Sequence, residues 1–343
     1  MKVAIVGAGI CGLYLGWKLA EKGQDVTIFE KRDRIGKEVC SGLFSERIFD
    51  FAPECKKLVQ NRITSCLICF PKRTIKIRFS KPFFVISHYQ LDNLTADLAE
   101  KAGAKIILNR NIRSYELSMF QEEYDRIIGC DGANSVIREG LGLPAPNFWL
   151  ATRGFIYPSA AKGGDERMFI DPEKNSVDHV ETWPQKSGFI WKIPRGNETE
   201  YGIIYPIGAK GGKERKFFDE KPKRAKALFE EFLTKKGLQP ERTNSAIVPQ
   251  GLIIPKNPKV TLCGDAAGLT KPWSGGGVIW GLTAANLLLK NFPDFIEYQK
   301  AAKRFFLPKI ILSKAAKKLV YFLGFNLPWF LPKNPKIESD FLA

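Results

Sequence analysis

The sequence lacks any uncharged apolar run of the ~18 residues that a membrane-spanning helix needs. Its longest candidate, near the C-terminus, is interrupted by Pro328. There is no repeat of fixed period and no low-complexity tract, so repeat and low-complexity architectures are set aside. Cysteine is sparse: seven residues, an odd number, with no cleavable leader ahead of the first apolar run. A cytosolic chain with reduced thiols is therefore expected. Cys66 and Cys69 have the spacing of a zinc pair, but no second pair completes four ligands. Two small residues on a strand are expected there, and no metal. Acidic residues are also short, 36 against 53 basic, leaving a formal net charge of +17. Such a balance favours nucleic acid, an anionic membrane surface or an anionic substrate. The basic residues spread along the chain, with clusters around Lys210–Lys226 and Lys309–Lys318, and no nucleic-acid motif accompanies them. No nucleic-acid partner is expected.

What is present begins with the first thirty-one residues. Val3–Val6 is a short apolar run that reads as a buried parallel strand. Gly7, Gly9 and Gly12 follow as G-x-G-x-x-G, then an amphipathic helix that Gly23 stops, then a second buried strand, Val26–Phe29, ending at Glu30. Strand, glycine turn, helix, strand and acid in this order form a dinucleotide-binding unit. Gly7 permits the tight turn, Gly9 lets a pyrophosphate approach the backbone beside Ala8, and Gly12 lets helix and strand pack closely. The helix N-terminus presents free N–H groups to the phosphates. Glu30 can accept hydrogen bonds from ribose hydroxyls.

The 343 residues suit two domains, and 44% hydrophobic with 26% charged residues is an ordinary globular mix. Ser45–Phe51 reads as a short helix. Ile63–Phe70, Thr74–Phe79 and Phe83–Ser87 read as antiparallel strands, and Tyr89–Ala102 as a helix. Ala104–Leu108 returns to a buried strand. From Leu150 to Ile207 strands recur at Thr152–Tyr157, Arg167–Ile170, His179–Thr182, Gly188–Ile193 and Tyr201–Pro206, a single antiparallel sheet of a second domain. Two further strands end in turns built like the first, at Cys130-Asp131-Gly132 and Gly264-Asp265-Ala266-Ala267-Gly268. In an α/β sheet, ligands bind beyond such strand ends. Asp265 beside its glycines can hydrogen-bond the ribityl hydroxyls of a flavin. Gly275, Gly276 and Gly277 open a helix from Val278, whose N–H groups can stabilise negative charge on a reduced flavin ring.

Together, Gly7–Gly12, Glu30, Cys130-Asp131-Gly132 and Gly264-Asp265 resemble the FAD-binding pattern of the p-hydroxybenzoate-hydroxylase-type flavoproteins. Within that group the sequence is most similar to the geranylgeranyl reductases, including the archaeal digeranylgeranylglycerophospholipid reductases. Lys37-Glu38-Val39-Cys40-Ser41-Gly42 is similar to the family's K-x-x-C-x-G. Gly264–Gly268, Pro272 and Gly275–Gly277 are similar to its G-D-A-A-G…P…G-G-G, and Phe189–Pro194 to its Y-x-W-x-F-P. The sequence departs from these patterns at Phe189 and Ile193, at Lys186 where the family has proline, and at His88 where an arginine often stands near the flavin phosphates.

The resemblance, spanning roughly residues 1–290, implies an α/β fold. An FAD-binding Rossmann-like parallel sheet (1–62, 88–145, 246–295) carries an inserted antiparallel-sheet substrate domain (63–87, 146–245) and a C-terminal helical tail (296–343). It implies FAD held by Gly7, Ala8, Gly9, Gly12, Glu30, Lys31, Cys40, Gly42, His88, Asp131, Gly264, Asp265, Gly275, Gly276, Gly277 and Val278. It also implies hydrogenation of carbon–carbon double bonds in prenyl chains. Cys40 would lie at the flavin ring, with Phe189 and Trp191 walling an apolar tunnel. The rival readings are an FAD monooxygenase acting on an aromatic or isoprenoid compound, and a non-catalytic flavin-containing lipid-binding protein. No second complete G-x-G-x-x-G unit is present, so no dedicated NAD(P)H domain is expected; the sequence does not name the electron donor, and a ferredoxin or a transient NAD(P)H contact stays open. In the tail, Lys309, Lys314, Lys317 and Lys318 interleave with Ile310, Ile311, Ala315, Leu319 and Phe322. A basic amphipathic helix of this kind is expected to lie on an anionic membrane surface, to lid the substrate pocket, or to do both. The expected location is cytoplasmic, with peripheral membrane association.

Overall fold

The computed structural model describes residues 1–37, 40–157, 177–209 and 215–338. The strand expected at Arg167–Ile170 lies outside them, as do Glu38 and Val39 of the K-x-x-C-x-G stretch. In chain order the strands are β1 Lys2–Val6, β2 Asp25–Phe29, β3 Leu43–Ser45, β4 Val59–Phe70, β5 Arg73–Ile86, β6 Lys105–Ile107, β7 Arg126–Gly129, β8 Asn147–Ile156, β9 His179–Gln185, β10 Gly188–Arg195, β11 Glu198–Ala209, β12 Arg242–Gln250, β13 Val260–Leu262 and β14 Lys336–Ile337. The helices are α1 Ile10–Glu21, α2 Ile48–Phe51, α3 His88–Lys101, α4 Leu117–Glu123, α5 Val136–Gly140, α6 Arg215–Lys235, α7 Val278–Asn291 and α8 Phe295–Asn326.

The first sheet runs β13-β7-β1-β2-β6, parallel throughout. Its strands are short apolar runs with both faces covered, so Val3, Ala4, Ile5, Ile28, Ile127 and Leu262 are all fully or almost fully buried. Helix α1 packs against α3 and α7. The carboxyl ends of β1, β7 and β13 are neighbours in this order, which brings the three glycine turns to one edge.

The second sheet runs β12-β8-β11-β10-β9-β4-β5-β14, with β3 on β5. It is antiparallel except at β4/β9 and β5/β14, where the strands run parallel. The β4/β9 seam is what joins two stretches far apart in sequence into one sheet. The sheet also takes in residues 43–45, 59–62 and 246–250, beyond the segments expected for it. The two strands expected between Thr74 and Ser87 are one strand. Ile63 pairs with Phe83 and Ser65 with Arg78, so residues 79–82 bulge opposite Thr64. Pro82, with no N–H for the ladder, sits inside that bulge. The helix expected at Ser45–Phe51 starts only at Ile48 because Leu43–Ser45 pairs with β5 and buries Phe44.

The tail is docked along much of its length. Helix α8 buries Phe295, Tyr298, Ala302 and Phe306 against the first sheet's layer. Further on it meets the second sheet, where Phe70 and Phe325 ring centroids lie 5.5 Å apart and Tyr321 Oη donates to Gly188 O at 3.0 Å. A Cβ on Gly324 would enter the Phe70 ring. Lys317, one of the interleaved lysines, points inward. Its Nζ lies 3.9 Å from the Trp149 ring centroid and donates to Pro272 O at 3.3 Å. Among the described residues no helix is long and apolar enough to cross a membrane.

Candidate functional site

The glycine turn after β1 is built by backbone constraints. Gly7 has φ of +106°, and its N–H donates to Phe29 O at 2.8 Å. A Cβ there would collide with the Cys130 carbonyl, and one on Gly12 with the Gly7 carbonyl. A Cβ on Gly9 would meet nothing within 4 Å, so this residue faces open space where the first two face backbone. Glu30, buried at the end of β2, accepts from Ala8 N–H at 2.9 Å and Arg32 N–H at 3.1 Å, one bond per carboxylate oxygen. It therefore holds the turn and keeps acceptor capacity for a hydroxyl. Lys31 beside it is exposed.

The other two turns differ in what their acids do. Asp131 Oδ2 accepts from Val136 N–H at 2.6 Å and Ile137 N–H at 3.3 Å, capping α5. Its Oδ1 is buried with no partner among the described residues. Gly264 packs on the Cys11 sulfur. Asp265 points into a cavity shared with Gly9, Cys11 and Gly275–Gly277. Burial pushes its carboxyl above the usual range, against the charges of Lys37 and His88. A Cβ on Gly277 would lie 2.7 Å from Asp265 Oδ1. Helix α7 starts at Val278 with no side-chain cap, leaving its first N–H groups to the cavity. Beneath the turns, Cys11, Cys130 and Cys263 converge as free thiols whose titration is raised. Cys66 and Cys69, whose spacing resembles a zinc pair, lie elsewhere, on β4. On β4 residues three apart face opposite sides, and no group of residues able to hold a metal occurs among the described residues.

Cys40 and His88 line this same cavity. His88 Nε2 lies 3.3 Å from Asp92 Oδ1, both side chains buried. Burial opposes the imidazolium, but Asp92 and Cys40 outweigh it and hold the His88 pKa up at about 10. Burial likewise opposes a thiolate at Cys40, yet His88, the Gly42 N–H and Arg153 together lower its pKa.

A buried ionic network was not found from the sequence. Glu200, fully buried, accepts from Arg153 Nη1 at 3.0 Å, Arg195 Nη1 at 2.7 Å and Trp191 Nε1 at 2.9 Å. The same two arginine nitrogens reach across to the thiol loop, Arg153 to Cys40 O at 2.5 Å and Arg195 to Ser41 O at 2.9 Å. Its members sit on β8, β10 and β11, and only the strand register brings them together.

The far wall of the cavity is apolar. Phe189 and Trp191, two apart on β10, share a face, with ring centroids 6.0 Å apart. Ile193, Ile204 and Val248 extend it. The cavity measures about 340 Å³. A second, of about 380 Å³, adjoins it under α8 and shares Ile68, Ile77, Lys271 and Trp273.

Comparison with known proteins agrees with this geometry. Residues 5–60 match the family of NAD(P)-binding Rossmann-like domains. The chain is 26% identical over 306 residues to the digeranylgeranylglycerophospholipid reductase of Methanocaldococcus jannaschii, covering 80% of this chain and 72% of that one. It is 25% identical over 322 residues to the geranylgeranyl diphosphate reductase of Rhodobacter capsulatus, covering 87% and 76%. The chain is similar to the geranylgeranyl reductases. Among solved structures, a geranylgeranyl bacteriochlorophyll reductase-like protein from Thermoplasma acidophilum superposes with a TM-score of 0.73 at 20% identity, over 92% of this chain and 86% of that one. A tryptophan 6-halogenase from Streptomyces toxytricini superposes with a TM-score of 0.62 at 15% identity, over 85% and 72%. The fold is that of FAD-dependent oxidoreductases.

Proposed function

We propose that this chain is an FAD-dependent reductase that hydrogenates carbon–carbon double bonds of geranylgeranyl or related prenyl chains carried by membrane-lipid precursors. The observation that carries the reading is one cavity with two chemistries. Gly9, Asp265 and the open N-terminus of α7 face it on one side, and Phe189 and Trp191 on the other. The polar side fits FAD. Gly9 leaves room for a pyrophosphate, Glu30 is placed for a ribose and Asp265 for the ribityl chain. The α7 N-terminus suits the negative charge of the reduced ring.

When bound and reduced, FAD supplies a hydride to one alkene carbon. The chain must supply the rest. An alkene has no polar handle, so Phe189, Trp191 and Ile193 orient it by shape and exclude water. A proton is needed for the other carbon, and the Cys40–His88 pair in the wall holds one. The membrane is the source of so apolar a substrate. Ile311, Leu319, Phe322, Trp329 and Phe330 are exposed together with Lys314 and Lys318, which suits an anionic interface.

The test is anaerobic. Holoprotein reduced with dithionite and mixed with a geranylgeranyl glycerophospholipid is expected to regain its oxidised flavin spectrum. Reoxidation that requires oxygen as well as the lipid would support a monooxygenase instead, and none under either condition a lipid-binding flavoprotein.

A further inference from the structure

Cys40 and Trp191, the two side chains that the reductase reading places at the reacting atoms, come from different sheets' territories. Cys40 sits in the loop after β2 of the parallel sheet, and Trp191 on β10 of the other. They share one neighbour but do not touch through it directly. Glu200 takes the Trp191 indole N–H on Oε1 and two arginines on Oε2, and those arginines hold the carbonyls of Cys40 and Ser41. Arg153, Arg195 and Glu200 are 4%, 6% and 0% exposed. Asn244 Oδ1 fixes Arg153 Nε at 2.7 Å, and Phe155 underlies both guanidinium groups at 4.8 and 6.0 Å.

A buried carboxylate with charged partners is a poor source of net stability, since desolvation offsets most of the attraction. Its geometric consequence is stronger. Charge-assisted bonds are short and directional, and here those through Arg153 Nη1, Arg195 Nη1 and Glu200 link Trp191, which lines the cavity, to the carbonyls of Cys40 and Ser41. Gly42, closing that loop, has φ of +67°, and a Cβ on it would strike Ile86 O. The loop is thus pinned at Cys40, Ser41 and Gly42.

We infer that Glu200, acting through Arg153 and Arg195, is a positioning residue that sets the Cys40 thiol and the Trp191 ring relative to one another across the cavity. It touches neither substrate nor cofactor. The kinetic part of this inference rests on the reductase reading; the loop-holding part does not.

The experiment separates the two. In FAD-loaded Glu200→Gln, which keeps the side chain's shape, alkylation of Cys40 by iodoacetamide is followed by peptide mass spectrometry, with Cys69 on β4 as internal reference. The rate is read at alkaline pH on its plateau, where it reports access and not ionisation. The inference predicts a several-fold faster rate at Cys40, no change at Cys69, retained FAD, and a fall in kcat on the order of tenfold or more, because an error of ~1 Å in placement can lose on the order of a hundredfold. Trp191→Phe, which removes the indole N–H along with part of the ring and leaves both arginines on Glu200, should leave Cys40 alkylation changed far less than Glu200→Gln does, since the loop is held by the arginines. If Glu200→Gln does not accumulate folded, Arg195→Lys, which keeps the charge but not the reach, is measured in the same way. An unchanged Cys40/Cys69 ratio in the folded variant overturns the inference. A raised ratio in the variant, where the parent itself reduces no prenyl lipid, keeps the inference and overturns the reductase reading alone.

Discussion

Among single residues, the two glycines of the first turn separate folding from binding. A Cβ on Gly12 would run into the Gly7 carbonyl, while one on Gly9 meets nothing. Gly9→Glu should therefore fold with the Tm of the FAD-free parent and lack FAD, its carboxylate standing in the path of the phosphates. Gly12→Ala should lose ~2 kcal/mol or more of stability by forcing α1 away from β1. Thermal melting and flavin absorbance on each variant check both; a flavin-loaded Gly9→Glu protein would contradict the assignment. His88 makes a second prediction. With the imidazolium beside it, Cys40 titrates below the usual thiol range. His88→Gln removes that charge and leaves burial, so the Cys40 alkylation midpoint should move upward. An unmoved midpoint would break the pairing of the two groups. At this scale the sequence was informative wherever backbone geometry dictates the residue. Gly7, Gly12 and Glu30 stand where the G-x-G-x-x-G spacing put them. Asp131 shows the limit: its place after a strand was legible, but the use of its carboxylate as a helix cap depended on where α5 begins. Glu200 had no local signature at all, because its partners meet only once β8, β10 and β11 are in register.

The elements tell a similar story with one reversal. Phe189 and Trp191, which the resemblance placed together on the apolar wall, share a face of β10. On α8 the interleaved lysines read as a basic amphipathic helix, on the membrane or over the pocket; the helix of 32 residues passes over two different layers, and the second sheet claims Lys317 for Trp149. No periodicity in the tail encodes the position of Trp149. The placement has a measurable consequence. Burial lowers the Lys317 pKa from 10.5 to about 8. Below pH 8 the folded chain therefore carries a desolvated ammonium, and Lys317→Met should be more stable than the parent, by on the order of 1–3 kcal/mol. Between about 8 and 10.5 the folded parent releases a proton that the unfolded chain keeps, so the parent gains stability as pH rises and the margin closes. Denaturant melts of both proteins at pH 7 and pH 10 test this; a margin that widens with pH would contradict it. The fused β5 was missed for a comparable reason. Lys81-Pro82 reads as a strand break, and only the pairing with β4 shows that the chain bulges and continues.

For the whole molecule, both layers line one cavity, and α8 packs on each of them in turn. The division into a nucleotide-binding layer and an apolar-walled layer was legible because glycine turns and strand runs change character along the chain. The parallel β4/β9 seam was not, since a non-local pairing leaves no mark in either strand. The exposed apolar and basic residues of the tail give a prediction at this scale. Lys309, Lys314 and Lys318 changed to glutamine should weaken sedimentation with anionic vesicles by about 1 kcal/mol per lysine at low salt, and less at high salt. Binding equal to the parent's would reduce α8 to a structural cover. The central claim concerns chemistry, and its most direct measurement is the mass of the lipid. After anaerobic incubation of the dithionite-reduced, FAD-loaded protein with a geranylgeranyl glycerophospholipid, the extracted lipid should be heavier by one pair of hydrogens for each double bond reduced. It should also carry deuterium when the buffer is deuterated. Lipid recovered at its starting mass, or heavier by oxygen in air, would contradict the account.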